Sequence, residues 1–339
     1  MSENPITPSC SSEDVYTRAA RIISECSFLL ITCGAGFSKD SGLSVYNDIT
    51  NHPIYKQKNL TYHDLARPVD CCDHMPLDYY GFWINCAQTY HHTHSHSGYE
   101  ILKGWKNLFK QVPEGFEEKQ VDILSQSEWF GSGGKMARNM FVYSSNVDNH
   151  FSRYFEPCEI YNIHGHSFNW QCGKPCSENA KWDYTEELLK FNVNQETMQI
   201  NANELDKLNC KYCKHMAMPN VLMFGDLGHY IRNKEEEDRY IAWECSVETY
   251  SKDMETKFPF VIIELGCGLT VPSVRLENEC VLLDCDKCFL IRINVGTDEL
   301  NTIHNEELKP LKDERILNIQ SGCESALQQI DQALKQLHQ

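Results

Sequence analysis

A chain of 339 residues with 41% hydrophobic content can bury one large core or two smaller ones, so folding needs no disulfide staple. Its 31 lysines and arginines stand against 48 aspartates and glutamates, a formal net charge of −17 that repels a nucleic-acid backbone and speaks against DNA or RNA as a direct ligand. No apolar run approaches the ~18 residues of a membrane span, and the polar, acidic stretch Met1–Asp14 lacks the basic and apolar regions of a signal peptide, so the 17 cysteines are expected to be reduced thiols of an intracellular protein, cytoplasmic or nuclear.

Val15, Ala19, Ile22 and Ile23 recur at helical spacing and lead into the apolar run Phe28–Thr32, a predicted strand. Directly after it comes Gly34-Ala35-Gly36-Phe37-Ser38. Glycines at a strand end let backbone amides approach a phosphate, with the next helix turning its positive end toward the anion. Lys39 occupies the place of the third glycine of a dinucleotide fingerprint, and a tight strand-to-helix turn without a ligand is the competing reading. From Tyr46 to Lys135 the chain is rich in aromatics and histidine with few strand signals, which predicts a mainly helical excursion, with Glu114 to Gly134 as a flexible loop. His91, His92, His94 and His96 are close in sequence, but no acidic or cysteine ligand accompanies them, so a polar loop is preferred to a metal site.

Further short apolar runs at Met140–Tyr143, Glu159–Ile163, Val221–Phe224, Phe260–Leu265 and Phe289–Ile293 predict strands, alternating with helices at Glu235–Tyr250 and Ser325–Leu337. That alternation predicts an α/β, doubly wound parallel sheet with ligands at the strands' C-terminal ends. Ser145, Asn146 and Asp148 follow one strand, where an amide and a carboxylate either bind a carboxamide and orient water or merely cap a helix. His164 closes another beside Gly165, and imidazole is the side chain suited to proton transfer near neutrality.

Cys172, Cys176, Cys210 and Cys213 form a C-x3-C and a C-x2-C pair, the spacing one tetrahedral Zn2+ requires. Four thiolates leave no open coordination position, so such a zinc is structural. Cys285 and Cys288 make a second C-x2-C that competes for the ion, and His215 competes with Cys213 for the fourth place. Cys33, beside the glycine loop, is a candidate for oxidation.

Taken in order, Gly34–Ser38, Ser145–Asp148, His164-Gly165, the paired cysteines, Pro219–Asp226, Glu264–Pro272 and Ile291–Asn294 resemble the sirtuin (Sir2) family, in a divergent form, over nearly the whole chain. The resemblance implies a Rossmann-like NAD-binding domain from 12–45, 136–166 and 219–335 and a smaller zinc-binding and helical domain, with residues 46–135 as its helical part, 167–218 as its zinc module and 1–11 as a flexible N-terminus. It implies an NAD+-dependent protein lysine deacylase acting on an acylated peptide and releasing nicotinamide and O-acyl-ADP-ribose. Cleavage of the same bond with another acceptor (NAD+ hydrolysis, ADP-ribosyl transfer) and non-catalytic NAD or ADP-ribose binding are the alternatives. By motif, His164 is the implied base, and Asn146 and Asp148 hold the nicotinamide and ribose region. Gly34, Ala35, Gly36 and Ser38 surround the diphosphate and ribose, with Tyr46, Asn47 and Ser145 also on the cofactor. Gly266, Cys267, Gly268, Asn294 and Cys323 line the adenosine side, and Phe224 with Gly225 walls the peptide groove. The chain departs from the family pattern at Val45 and Asn47, which replace an acidic residue and an arginine, and at Ser145 and Gly268. Asparagine for arginine removes a fixed charge and a forked donor.

Overall fold

The structure, a computed structural model, describes residues 13–109, 112–127, 135–226 and 228–338; the side chains of Tyr46, Asn47, Ile49 and Cys71 lie outside that description, as do residues 1–11 and 128–134, for which flexibility was expected. The first helix, Val15–Glu25, begins where the Asp14 carboxylate accepts from the Thr17 amide, and it buries Ala19, Ala20, Ile22 and Ile23 against the sheet core. Among the described residues no helix is long and apolar enough to cross a membrane.

Among the described residues, nine strands follow in chain order: β1 Phe28–Cys33, β2 Met140–Ser144, β3 Ile160–Asn162, β4 Gly165–Cys172, β5 Lys181–Asp183, β6 Ala217–Val221, β7 Phe260–Leu265, β8 Cys288–Asn294 and β9 Ile316–Gln320. Six form a sheet in the order β3-β2-β1-β7-β8-β9, with every neighbouring pair parallel. Successive residues of β1 enter opposite cores, Leu29 and Ile31 on one face and Phe28 and Leu30 on the other. Burial on both faces is why the strand reads as an unbroken apolar run rather than an alternation. Because β1 pairs with β2 on one side and β7 on the other, the loops leaving β1 and β7 diverge and open a crevice at the sheet's C-terminal edge.

Beneath that edge lies a buried charge network. Glu264 accepts from Arg275 at 3.1 Å and from Arg292 at 2.8 Å on one oxygen and from Asn278 at 2.8 Å on the other, and all three charged side chains are closed to solvent. Asn278 also donates to Thr32 Oγ1, tying β1 to β7 and to the helix Ser273–Asp284. Removing one member of such a network strands charge in a low-dielectric interior, so it fixes the end of β7 from which the next loop departs.

The remaining strands form an antiparallel sheet, β5-β4-β6. Its aromatic core joins it to the helix Pro76–His92: Tyr80 stacks on Trp170 with ring centroids 5.9 Å apart and donates its hydroxyl to the Ala217 carbonyl at 2.9 Å. Three expectations are corrected. The strand expected at Val221–Phe224 ends at Val221 and lies in this sheet, because its amides pair with β4 and the Phe224 amide instead donates to the Ala66 carbonyl. The expected loop from Glu114 contains the helix Phe116–Leu124, anchored by Phe116 stacked on Phe28 at 4.9 Å. Finally, the helix Ser97–Trp105 buries Tyr99, Leu102 and Trp105 in the core of the large sheet rather than against the antiparallel one.

Candidate functional site

Three loops at the C-terminal edge of the large sheet meet around β1. Gly34 donates its amide to Leu265 at 3.1 Å and Gly36 donates to Gly266 at 3.0 Å. A Cβ on Gly36 would stand 2.7 Å from the Gly266 oxygen, and Gly266 itself has φ +62°. The glycines therefore allow two loop backbones to touch, a reason the sequence pattern alone does not distinguish from close approach to a phosphate. The short helix Ala35–Lys39 starts here and carries Ser38.

Ser38, Asn146 and Asp148 are one hydrogen-bonded unit. The Ser38 hydroxyl donates to Asp148 Oδ2 at 2.5 Å and accepts from the Asn146 amide at 2.9 Å, which also donates to the Gly34 carbonyl at 2.9 Å. Asp148 Oδ1 accepts from the His150 amide at 2.8 Å. All three side chains are buried. A buried network with its members satisfied is rigid, so this amide and carboxylate hold fixed directions.

His164 leaves β3 just before β4, and its carbonyl accepts the Leu222 amide, which ties it to the end of β6. Burial pushes its pKa below the usual imidazole range, opposed by a hydrogen bond with the Ser145 backbone. The ring is therefore neutral at pH 7 and able to accept a proton.

A cavity of about 280 Å³ brings these groups together. Ala35, Ser38, Ser145, Asn146, Asp148 and His164 form its polar side. Most of the rest of the lining is apolar or aromatic: Tyr62, Ala66, Trp83 and Tyr90 come from the helical insert, and Met223 and Phe224 follow β6. Val45 lines it where the family pattern has an acidic residue, and Val271 and Ser273 close it from the loop after β7. Sequence reading missed the helical-insert wall, because aromatic residues at helical spacing look the same whether they face a core or a cavity.

The other candidate cofactor residues are not among the described residues that line this cavity. Gly266, Cys267 and Gly268 leave β7; Asn294 ends β8 and donates to the Cys267 carbonyl at 2.9 Å; Cys323 opens the last helix. Cys267 and Cys323 are buried thiols. Gly225 has φ +68° and turns the chain after Phe224. Tyr46 and Asn47 lie in a short 3-10 helix at 46–51, and their side chains fall outside the described residues.

At the far end of the antiparallel sheet, the sulfurs of Cys172, Cys176, Cys210 and Cys213 lie within 4.8 Å of one another, with Cys172–Cys213 at 3.5 Å and Cys176–Cys210 at 3.9 Å. Sulfurs ~2.3 Å from a tetrahedral zinc stand about 3.8 Å apart, so the four thiols fit that ion, and the distances exclude disulfides. The Cys213 thiol is drawn down to about 7, chiefly by a hydrogen bond from the His215 backbone. His215 does not compete as a ligand, since its Nε2 pairs with Asp70 Oδ1 at 2.8 Å. Among the described residues no other group of cysteine, histidine and acidic side chains is close enough for a metal. Cys285 and Cys288 are buried at a helix end and a strand start, and the His96 ring bonds the Phe37 carbonyl at 3.0 Å.

By sequence, neither a family model nor a curated protein matches the chain. By structure, it is similar to a Sir2 homologue complexed with ADP-ribose (TM-score 0.58, 14% identity, covering 95% of this chain and 97% of that one). It is also similar to a Sir2 homologue–NAD complex (TM-score 0.57, 14% identity, 97% and 96%). A third is Sir2 with an inhibitor, 2'-O-acetyl-ADP-ribose and a deacetylated p53 peptide (TM-score 0.53, 14% identity, 93% and 97%). The chain has the sirtuin fold: a Rossmann-like parallel sheet, a separate antiparallel sheet and a four-cysteine cluster. At this identity the likeness extends to the fold and no further.

Proposed function

We propose that the protein is an NAD+-dependent lysine deacylase. The observation that carries this reading is a neutral imidazole, His164, opening into the same cavity as the rigid Asn146–Ser38–Asp148 unit and an apolar wall. The ligands of structures with the same fold support it: NAD, ADP-ribose, an acetylated ADP-ribose and a deacetylated peptide. The polar residues at the strand ends fit a nicotinamide ribose, and bound NAD+ supplies the glycosidic bond whose cleavage frees nicotinamide and exposes the ribose carbon to an acyl oxygen.

The protein's own groups then have distinct tasks. Asn146 and Asp148 hold the nicotinamide and ribose region in the directions their hydrogen bonds fix. Gly34, Ala35, Gly36 and Ser38 surround the diphosphate, with Tyr46, Asn47 and Ser145 beside it, and the backbone at Gly266, Cys267, Gly268, Asn294 and Cys323 takes the adenosine side. Phe224 and Gly225 form a wall of the acyl-lysine groove. The largely apolar lining of the cleft limits water around the developing positive charge on the ribose, and His164 takes the proton from a ribose hydroxyl. Zinc on the four cysteines is structural and anchors the sheet that carries β6.

The pH dependence of peptide-dependent nicotinamide release tests the role of His164. A protonated ring cannot accept, and burial lowers the pH at which this ring is protonated. The acid limb of kcat/KM is therefore expected below the range of free imidazole, and a limb at or above that range overturns the assignment.

A further inference from the structure

The cavity has two chemically different sides supplied by different parts of the chain. Its polar groups sit on loops at the C-terminal edge of the parallel sheet, while Tyr62, Ala66, Trp83 and Tyr90 arrive from the helical insert and Met223 from the segment that follows β6. Several of these walls are held by backbone rather than by chance packing. The Trp83 indole donates to the Leu65 carbonyl at 3.0 Å, the Phe224 amide donates to Ala66 at 2.9 Å, and Tyr62 meets Phe224 edge-on with centroids 6.1 Å apart. No lysine or arginine is among the described residues that line the cavity, and its charged member, Asp148, is acidic. At ~30 Å³ per molecule, a volume of about 280 Å³ corresponds to several waters, yet an aromatic and aliphatic wall offers water few hydrogen bonds.

We infer that the acyl group this cavity selects is uncharged, apolar and longer than acetyl. The inference rests on the deacylase reading and names the substrate class of the same site. An acyl chain whose carbonyl faces His164 and Asn146 directs its methylenes at Tyr62, Ala66 and Trp83, where each buried methylene strengthens binding about fourfold, the equivalent of ~0.8 kcal/mol. A chain ending in a carboxylate meets no cation there and is repelled by Asp148. Acetyl leaves the apolar wall uncovered.

The test separates binding from turnover. Peptides of one sequence carrying acetyl-, butyryl-, hexanoyl- or succinyl-lysine are titrated against the intact zinc-loaded protein by fluorescence anisotropy without NAD+, and the same set is then assayed for turnover with NAD+. Affinity is expected to rise about fourfold per methylene until the cavity is filled, with succinyl weakest. Acetyl or succinyl binding as tightly as hexanoyl overturns the inference. Turnover of none of the peptides, with the affinity ranking intact, overturns the deacylase reading and leaves the apolar acyl site standing. As a second check, Ala66→Leu, which fills the wall, is expected to lower the hexanoyl-to-acetyl affinity ratio at least tenfold; an unaltered ratio in a folded variant counts against the wall as the selector.

Discussion

His164→Ala is expected to reduce kcat/KM for peptide-dependent nicotinamide release by a factor on the order of 10³, within the range a positioned general base contributes. The reason is local. The ring is desolvated and neutral, fixed by the Ser145 backbone, and open to the cavity in which Asn146 and Asp148 sit. Removing it takes away the proton acceptor but leaves the Ser38–Asn146–Asp148 network, the helical-insert wall and the zinc cluster intact. The expected loss is therefore in turnover, with peptide affinity and the melting temperature close to those of the parent protein. Steady-state kinetics combined with a thermal melt checks this, and undiminished turnover in a folded variant removes His164 from the mechanism.

Cys210→Ser has a different signature, because it acts through folding. Cys210 is fully buried, its sulfur lies 3.9 Å from Cys176, and its amide is held by the His215 carbonyl at 2.6 Å. Zinc binding to such clusters contributes about 10–16 kcal/mol in small peptides, so losing one thiolate outweighs most single contacts in the molecule. Zinc content is expected to fall from about one per chain to near zero. The antiparallel sheet then loses its fixed end, since Cys172 terminates β4, the partner of both β5 and β6. β6 leads into Met223 and Phe224, so the cavity loses one wall and activity falls with the metal. Metal analysis and near-ultraviolet circular dichroism report both effects. A variant that retains stoichiometric zinc shows that the cluster is assigned wrongly.

The parts of this molecule legible in its sequence are those whose causes are local. β1, β2, β7 and β8 stand out because burial on both faces demands an unbroken apolar run. β9 carries half-buried Asn318 and a polar end at Gln320, and it passes unnoticed as strand. β6 is read four residues too late, because Leu222, Met223 and Phe224 continue its apolar character after its ladder has ended. In the site, Asn146, Asp148 and His164 are legible as polar residues that immediately follow strands. What joins them is not: the Ser38–Asp148 bond spans 110 residues of chain, and Trp83 and Tyr90 reach the cavity only through tertiary packing of the helical insert. The four cysteines are legible from spacing, while the pairing of His215 with Asp70, which removes it as a rival ligand, appears only in three dimensions.

The departures at Val45 and Asn47 bear directly on the chemistry. Val45 contributes an apolar surface to the cavity where the family pattern carries a charge. Asparagine at 47 lacks the forked cation that could pair with a diphosphate, so on the deacylase reading the glycine loop and the Ser38 network take over the work of orienting the cofactor. On the deacylase reading, such a site depends on the peptide's acyl group to complete the cavity.

That dependence gives the most direct test. The protein is incubated with NAD+ in the presence and absence of an acyl-lysine peptide, and nicotinamide and peptide mass are followed together. The expected result is nicotinamide release that requires the peptide and matches the loss of acyl mass one for one; release at the same rate without peptide, or no release with any acyl peptide, contradicts a lysine deacylase.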